Sequence, residues 1–250
     1  MSETVNISLY ESNNLDAFNK YNKAYNRIIE EFGEKYTAFQ EDWYLRPNTY
    51  CCILSNALNE VIGGFRLQVH QPNFKLPIQN KLIKYKNEIN SFVQSENHFE
   101  LCESNGFFVV PKYRKTIISY EIARTFLALA LQLNLKTMIG IALKKTTDIF
   151  NHFNIIESKK IMSPDNYFQY ANNPKSFVFE ITNLDQQIIR SMNTREDSYI
   201  LKRLTKERKT TYKLNQGDQK FEFNFENNIN SNTIFDYIFP LEKHVLAAPY

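Results

Sequence analysis

Lys112, Arg114 and Lys115 place three cations within four residues. They follow a short apolar run, 106–110, that Pro111 stops, and they precede a segment of helical period that begins at Ile117. A basic turn feeding a helix N-terminus suits an anion, because the first turn of a helix has free N–H groups and the positive end of the dipole. The Arg114 guanidinium would add directed hydrogen bonds to phosphate oxygens, a geometry lysine does not match. Thr116 and Ser119 lie in the same turn, so the amides from Lys115 to Ser119 complete the expected anion site. The alternative is a solvated charge cluster after a strand.

Arg66 is the second candidate. It follows the pair Gly63–Gly64 in a strand over 61–69, with Phe65, Leu67 and Val69 on one face and Arg66 and Gln68 on the other. Two glycines inside a strand mark a bulge or a close backbone approach. Arg66 is then either a solvated strand residue or the anchor of a carboxylate or phosphate. Near the start of the next strand, Leu101 and Glu103 face alike while Glu100 and Cys102 face the other way. The two glutamates therefore do not form a side-by-side pair. His70, His98, His152 and His244 have no spacing suited to a metal or a triad, and no P-loop, dinucleotide or zinc motif is present.

The elements that position these residues follow from periodicity. The unit from about 100 to 153 reads strand, basic turn, helix (117–133), strand (137–142), short helix (144–153), a crossover long enough to bring the second strand back parallel. Ahead of it lie a strand over 5–10, an amphipathic helix from Leu15 to about Phe32, and an aromatic connector carrying Tyr36, Phe39, Trp43 and Tyr44. A hairpin of strands 50–55 and 61–69 and a helix over 78–92 follow. After it come a weak strand at Ile155–Ile156, a polar-aromatic loop with Tyr167 and Tyr170, a strand over 176–181 and a short helix over 184–192. Next are a charge-rich, partly helical stretch, a hairpin around Gly217 and an apolar tail over 234–250.

With 250 residues, 43% hydrophobic, the chain can build one sizeable core. A net charge of +3 does not announce a nucleic-acid binder, and no apolar run is long enough to span a membrane. Three cysteines, an odd count without ligand spacing, suit a reducing compartment. Adjacent Cys51 and Cys52 would point to opposite faces of a strand. The N-terminus has no signal-peptide pattern. These features predict a cytoplasmic protein, and the abundance of Asn, Ile, Lys and Tyr fits an AT-biased bacterial genome.

The word Val109-Val110-Pro111 with Tyr113-Arg114 resembles the strand end and pyrophosphate turn of the acyl-CoA N-acyltransferase (GNAT) superfamily, over roughly residues 5 to 182. Within it, Gly63-Gly64-Phe65-Arg66-Leu67, Arg27, Glu41-Asp42-Trp43 and Glu100-Leu101 or Glu103 are similar to the autoinducer synthase-like and long-chain N-acyl amino acid synthase branch. The resemblance implies an α/β (α+β) fold: a mixed, mostly antiparallel sheet with a splayed parallel strand pair, flanked by helices. It implies a transferase domain over 1–182 and a C-terminal extension over 183–250, packed on the core or on a partner subunit as in a homodimer. It also implies transfer of an acyl group from acyl-CoA or acyl-carrier protein to the amine of a small molecule such as an amino acid, with no metal and no nucleic acid.

Acyl transfer to an amine needs a base and donors for the developing oxyanion. The resemblance assigns Glu103 as base, Arg66 as holder of an acceptor carboxylate and Tyr113 as late proton donor, with Tyr167 and Tyr170 as alternatives. The backbone at Val109 and Val110 and the turn residues Lys112, Arg114, Lys115, Thr116 and Ser119 would bind the donor. The chain departs from the pattern in two places. No arginine stands three residues after Glu100 or Glu103, and no glycine follows Arg114 in the turn. A GNAT-like protein that binds or self-associates without catalysis is the alternative.

Overall fold

The structure is a computed structural model, and it describes residues 2–31, 46–82, 85–153, 156–157, 161, 168–170, 173–184 and 194–229. The connector residues Arg27 leads into (Tyr36, Phe39, Glu41, Asp42, Trp43 and Tyr44) lie outside these, as do Tyr167, most of the helix expected over 184–192, His244 and the apolar tail. The described strands are β1 (Ser2–Glu11), β2 (Thr49–Asn56), β3 (Val61–Val69), β4 (Leu101–Val109), β5 (Thr137–Leu143), β6 (Ile156–Glu157), β7 (Phe168–Tyr170), β8 (Asn173–Ile181), β9 (Lys209–Gln216) and β10 (Gln219–Asn227). The helices are α1 (Leu15–Glu31), α2 (Pro77–Lys81), α3 (Lys86–Ser95), α4 (Ile117–Gln132), α5 (Thr147–His152) and α6 (Arg195–Lys206). The single helix expected over 78–92 is thus two helices. The strand expected over 106–110 begins at Leu101.

These strands form one sheet in the order β6-β8-β5-β4-β3-β2-β1-β10-β9, with β7 beside β8. Two neighbour pairs are parallel, β4 with β5 and β1 with β10, and the others are antiparallel. The sheet is therefore mixed and mostly antiparallel, as expected. Strands β4 and β5 pair only from Leu101↔Thr137 to Ser104↔Gly140. Beyond that point β4 continues against β3 as far as Gly63↔Val109, and β5 continues against β8 as far as Leu143↔Ser176. The parallel pair consequently splays open after its fourth rung.

Helix α4 begins at Thr116, whose side chain accepts from the Ile118 N–H at 3.3 Å, and ends before Asn134, which takes a φ of +55°. It is apolar nearly all round because it is sandwiched between the sheet and α6. Phe65, Leu67, Cys102, Ile122, Phe126 and Leu129 meet in this larger core. The opposite face of the sheet carries two smaller clusters. Phe18, Tyr21 and Tyr25 of α1 pack on Cys51, Ile53 and Phe108. Ile78, Ile89 and Phe92 of α2 and α3 pack on Leu101, Ile139 and Val178. Cys51 and Cys52 do point to opposite faces, and all three cysteines are buried thiols.

The chain after residue 194 joins the same sheet and core. Gly217, at φ +58°, turns β9 into β10, and Tyr212, Leu214, Phe221, Phe223 and Phe225 point inward. Ile200, Leu201 and Leu204 of α6 face α4. A buried polar network crosses this contact. Arg124 of α4 donates to Glu121 and to Asp197 of α6, and the Tyr212 hydroxyl donates to Glu121 at 2.7 Å. Burial pushes the Glu121 carboxyl up, and Arg124 and Tyr212 pull it part of the way back. His152 Nε2 stands 3.6 Å from Asp197. Gln132 donates to the Leu204 carbonyl and accepts from Asn227. Among the described residues no helix is long and apolar enough to cross a membrane.

Candidate functional site

Between the two smaller clusters, on the α1 face of the sheet, runs a strip of polar side chains. Alternation on β3 places Arg66, Gln68 and His70 there, each nearly buried. Strand β4 adds Glu103 and Asn105, in register with Gln68 and Arg66 respectively. Arg66 and Glu103 thus lie diagonally across neighbouring strands on one face.

Arg66 is 2% exposed, and its guanidinium carbon lies 5.8 Å from the Tyr21 ring centre and 5.4 Å from that of Tyr25. Two aromatic faces four residues apart on α1 therefore flank one buried cation. The Tyr21 hydroxyl donates to the carbonyl of Gly106. Gly106 has φ +64°, and a Cβ there would meet Tyr21 Oη at 2.3 Å and Arg66 Nε at 2.8 Å, so only glycine fits. Burial pushes the Tyr21 phenol well up, with Arg66 opposing. The expected role of the double glycine also has a visible cause. A Cβ at Gly64 would come within 2.4 Å of the Cys52 carbonyl, and one at Gly63 within 3.0 Å of that of Phe108. The β3–β4 register shifts between Gly64 and Arg66.

Glu103 is 1% exposed. Its carboxylate accepts the Ile78 N–H of α2 at 2.7 Å and the Asn105 side-chain amide at 3.4 Å. Asn105 Oδ1 and His70 Nδ1 are buried in the same strip without a hydrogen-bond partner among the described residues. His70 stacks near His98, ring centres 4.8 Å apart, and burial together with His98 holds its pKa below the ordinary value. A buried carboxylate and a buried guanidinium, diagonal to each other on one face of neighbouring strands, can bind a zwitterion and accept a proton from it.

The turn lies at the far end of β4. Six residue steps along the strand separate Glu103 from Val109, roughly 20 Å. The Val110 N–H donates to the Ile62 carbonyl and so faces β3; by alternation the Val109 N–H faces the opening between β4 and β5. Arg114 is exposed, and its Nε donates to the Val109 carbonyl at 3.1 Å. Lys115 takes a φ of +62°, the conformation a glycine would adopt freely. The turn amides are largely engaged within the chain. Arg114 N–H donates to Pro111 O, Thr116 N–H to Tyr113 O, Ile118 N–H to Thr116 Oγ1 and Ser119 N–H to Thr116 O. From the tip of β9, Gln216 Oε1 accepts the Ile117 N–H at 2.7 Å, while its Nε2 donates to Lys115 O at 3.2 Å.

Tyr113 is 4% exposed and packs in the larger core, on the opposite face of the sheet from Arg66 and Glu103. Its hydroxyl donates to Glu3 of β1 and accepts from Lys112 at 3.3 Å, and burial and Glu3 raise its pKa. The structure therefore brings Arg66 and Glu103 together, groups Lys112, Arg114, Lys115, Thr116 and Ser119 at the turn, and holds Tyr113 within that turn but apart from the Arg66–Glu103 strip. The sequence reading missed Tyr21, Tyr25, His70, Asn105 and Gly106. Tyr21 and Tyr25 read as core because their spacing is that of an apolar helix face, and the only signal for Asn105 was its place two residues from Glu103. Among the described residues no group of three or more His, Cys, Asp or Glu side chains is placed to hold a metal.

No family model matches the sequence, and no curated protein sequence matches it. Solved structures do. FeeM, an N-acyl amino acid synthase from uncultured soil microbes, superposes with a TM-score of 0.57 at 13% identity, over 77% of this chain and 99% of that one. BjaI, a CoA-dependent acyl-homoserine lactone synthase solved with SAM and isopentyl-CoA, gives 0.52 at 13% identity, over 74% and 86%. Escherichia coli ElaA gives 0.52 at 8% identity, over 70% and 98%. Taken with the strand order and the parallel pair that splays after Ser104, these likenesses show that the chain has the GNAT-like fold.

Proposed function

We propose that the chain is an N-acyltransferase that moves an acyl group from acyl-CoA or acyl-carrier protein to the amine of a small, amino-acid-like acceptor. The observation that carries this reading is the buried Arg66–Glu103 pair beside the opening of β4 and β5. In this reading an extended pantetheine arm lies along the open edge of β4, with its phosphate at Arg114, Lys112 and Lys115 near Val109 and its thioester at the start of the opening beyond Ser104, beside Glu103. The acceptor carboxylate meets Arg66 between Tyr21 and Tyr25, and Glu103 takes the amine proton, directly or through one water. The nucleophilic nitrogen attacks the thioester carbon, the C–S bond breaks, and the thiol leaves with a proton. Tyr113, whose hydroxyl is engaged by Glu3, serves to hold the turn. Residues 1–182 form the transferase part, and residues 183–250 are the extension. The structural likeness to FeeM and BjaI supports the choice of acyl donor and amine acceptor.

Mass spectrometry after incubating the protein with acetyl-CoA, long-chain acyl-CoAs or acyl-carrier protein and a mixture of amino acids tests the proposal; an N-acyl amino acid is the expected product. Arg114→Ala is expected to weaken donor binding by roughly ten- to a hundredfold, the weight of a charge-assisted hydrogen bond, measured by calorimetric titration. The second reading, a binding protein without catalysis, is favoured by one observation: Gln216 fills the place at the Ile117 amide where a donor oxygen would sit. Gln216→Ala separates the two. For an enzyme it raises donor affinity by roughly three- to tenfold, one neutral hydrogen bond. Absence of donor binding and of acylated product in both forms would leave the non-catalytic reading standing.

A further inference from the structure

A second concavity lies away from the Arg66–Glu103 strip. Helix α1 lies over β2, β3 and β4, and the sheet runs on past it through β1, β10 and β9. The step between the helix and this uncovered part of the sheet is a cleft of about 720 Å³, within the size range of small-molecule sites. Its floor is polar. Thr211 Oγ1 donates to Asn224 Oδ1 at 3.0 Å, and Asn224 Nδ2 donates to Asn6 Oδ1 at 3.1 Å, a relay across three strands. The relay fixes both carboxamides and leaves Asn6 Nδ2, with the neighbouring Ser8 hydroxyl, without a protein partner among the described residues.

The charges around the floor cancel. Lys209 pairs with Glu226 at one end, and Asp16 and Lys20 face the cleft from α1. Two cations and two anions leave no net field to select an ion of either sign. Tyr10, which packs against the α1 cluster, also lines the cleft and offers an aromatic surface. Fixed carboxamides offering paired donors and acceptors, hydroxyls, carboxylates and one aromatic ring are the groups that recognise vicinal hydroxyls and an apolar C–H face. We propose that this cleft is a binding site for a neutral polyhydroxylated ligand, a sugar or glycoside, separate from the acyl-transfer site.

The test is amide chemical-shift mapping of the full-length protein titrated with glucose, galactose, N-acetylglucosamine and maltose one at a time, with sodium phosphate and glutamate as charged controls. At least one sugar is expected to shift amides of β1, β9 and β10 about the cleft, with a dissociation constant on the order of 1 mM. Asn224→Ala, which breaks the relay, is expected to weaken this at least about tenfold. Lys20→Ala, on the exposed wall of α1, is the variant that keeps the floor intact, and it should also weaken binding. Four results would overturn the proposal: no cleft shifts with any of the four sugars, larger shifts with phosphate or glutamate than with sugar, shifts confined to residues outside the cleft, or sugar binding unchanged in both variants.

Discussion

Replacing Arg124 by methionine removes the only cation that directly bridges the buried carboxylates of Glu121 and Asp197 among the described residues. Methionine fills much of the same volume, so packing around the stem survives. The charge does not. The Arg124, Glu121 and Asp197 side chains are 4%, 0% and 9% exposed, so water cannot replace the guanidinium. Breaking a buried pair from one side costs ~3–5 kcal/mol, and that is the loss expected at pH 7 from urea unfolding. The loss should shrink in acid, and the sign follows from the wild-type shift. Glu121 already has its pKa raised by burial, with Arg124 pulling it down. Without Arg124 it rises further, so the folded variant takes up a proton that the unfolded chain has not yet bound. That stabilisation is fully present below the unfolded carboxylate value and is lost as pH rises through the folded one. The variant should therefore recover part of its deficit between neutral pH and about pH 5. Glu121→Gln combined with Arg124→Met should be less damaged than Arg124→Met alone. An equal deficit at both pH values, or a loss below about 1 kcal/mol at pH 7, would refute the view of this network as a buried, charge-balanced joint.

Glu103→Gln keeps an acceptor for the Ile78 N–H, so its unfolding midpoint should hold while acyl-transfer rate falls roughly 10²–10⁴-fold, read in a thiol-release assay. Gly140→Ala places a Cβ 2.6 Å from the Ser104 carbonyl and 2.6 Å from the Phe179 ring at the point of splay. A loss of ~1–3 kcal/mol is expected by denaturant melts. His70 has its pKa lowered by burial and by His98, so its contribution to stability is whole above about pH 6.5 and is lost as pH falls through the folded value. Imidazole resonances should show His70 titrating below the ordinary histidine value of about 6.5, and His70→Phe should flatten the acid limb of the stability curve.

Helix α4, the following strand and the β2–β3 hairpin were legible because each is buried in a simple period. The apolar recurrence from Ile117 ends one residue from the observed end, and Phe65, Leu67 and Val69 do face the larger core. The burial of the first half of β4 was not legible. The pattern puts Glu100 and Glu103 at a strand start ahead of the apolar run over 106–110, yet Glu103 and Ser104 are buried. Polar residues ordinarily face water, so local pattern gives no sign of this. The clamp of Gln216 on Lys115 and Ile117 joins residues about a hundred positions apart, and the pairing of β1 with β10 spans almost the whole chain. Neither has a local signature. The approach of Arg66 to Tyr21 and Tyr25 depends on the β3–β4 bulge and on the missing Cβ of Gly106, which give two glycine-containing words a meaning that spacing alone does not convey.

The parallel pairing of β1 with β10 has a consequence for synthesis. Residues 2–11 leave the ribosome about two hundred residues ahead of their second neighbour, residues 219–227. At ~5–20 residues per second, one edge of β1 waits roughly 10–40 s for its partner while β2 can already cover the other. During that interval a strand with Val5, Ile7 and Leu9 on one face offers open N–H and C=O groups to any passing chain. Among the described residues the sheet ends instead on β9, whose outward Lys209 and Lys213 pair with Glu226 and Glu222, a charged edge that discourages further addition. The nascent chain, rather than the finished one, is therefore the form most exposed to aggregation, and chaperone occupancy should fall only once the β9–β10 hairpin has emerged.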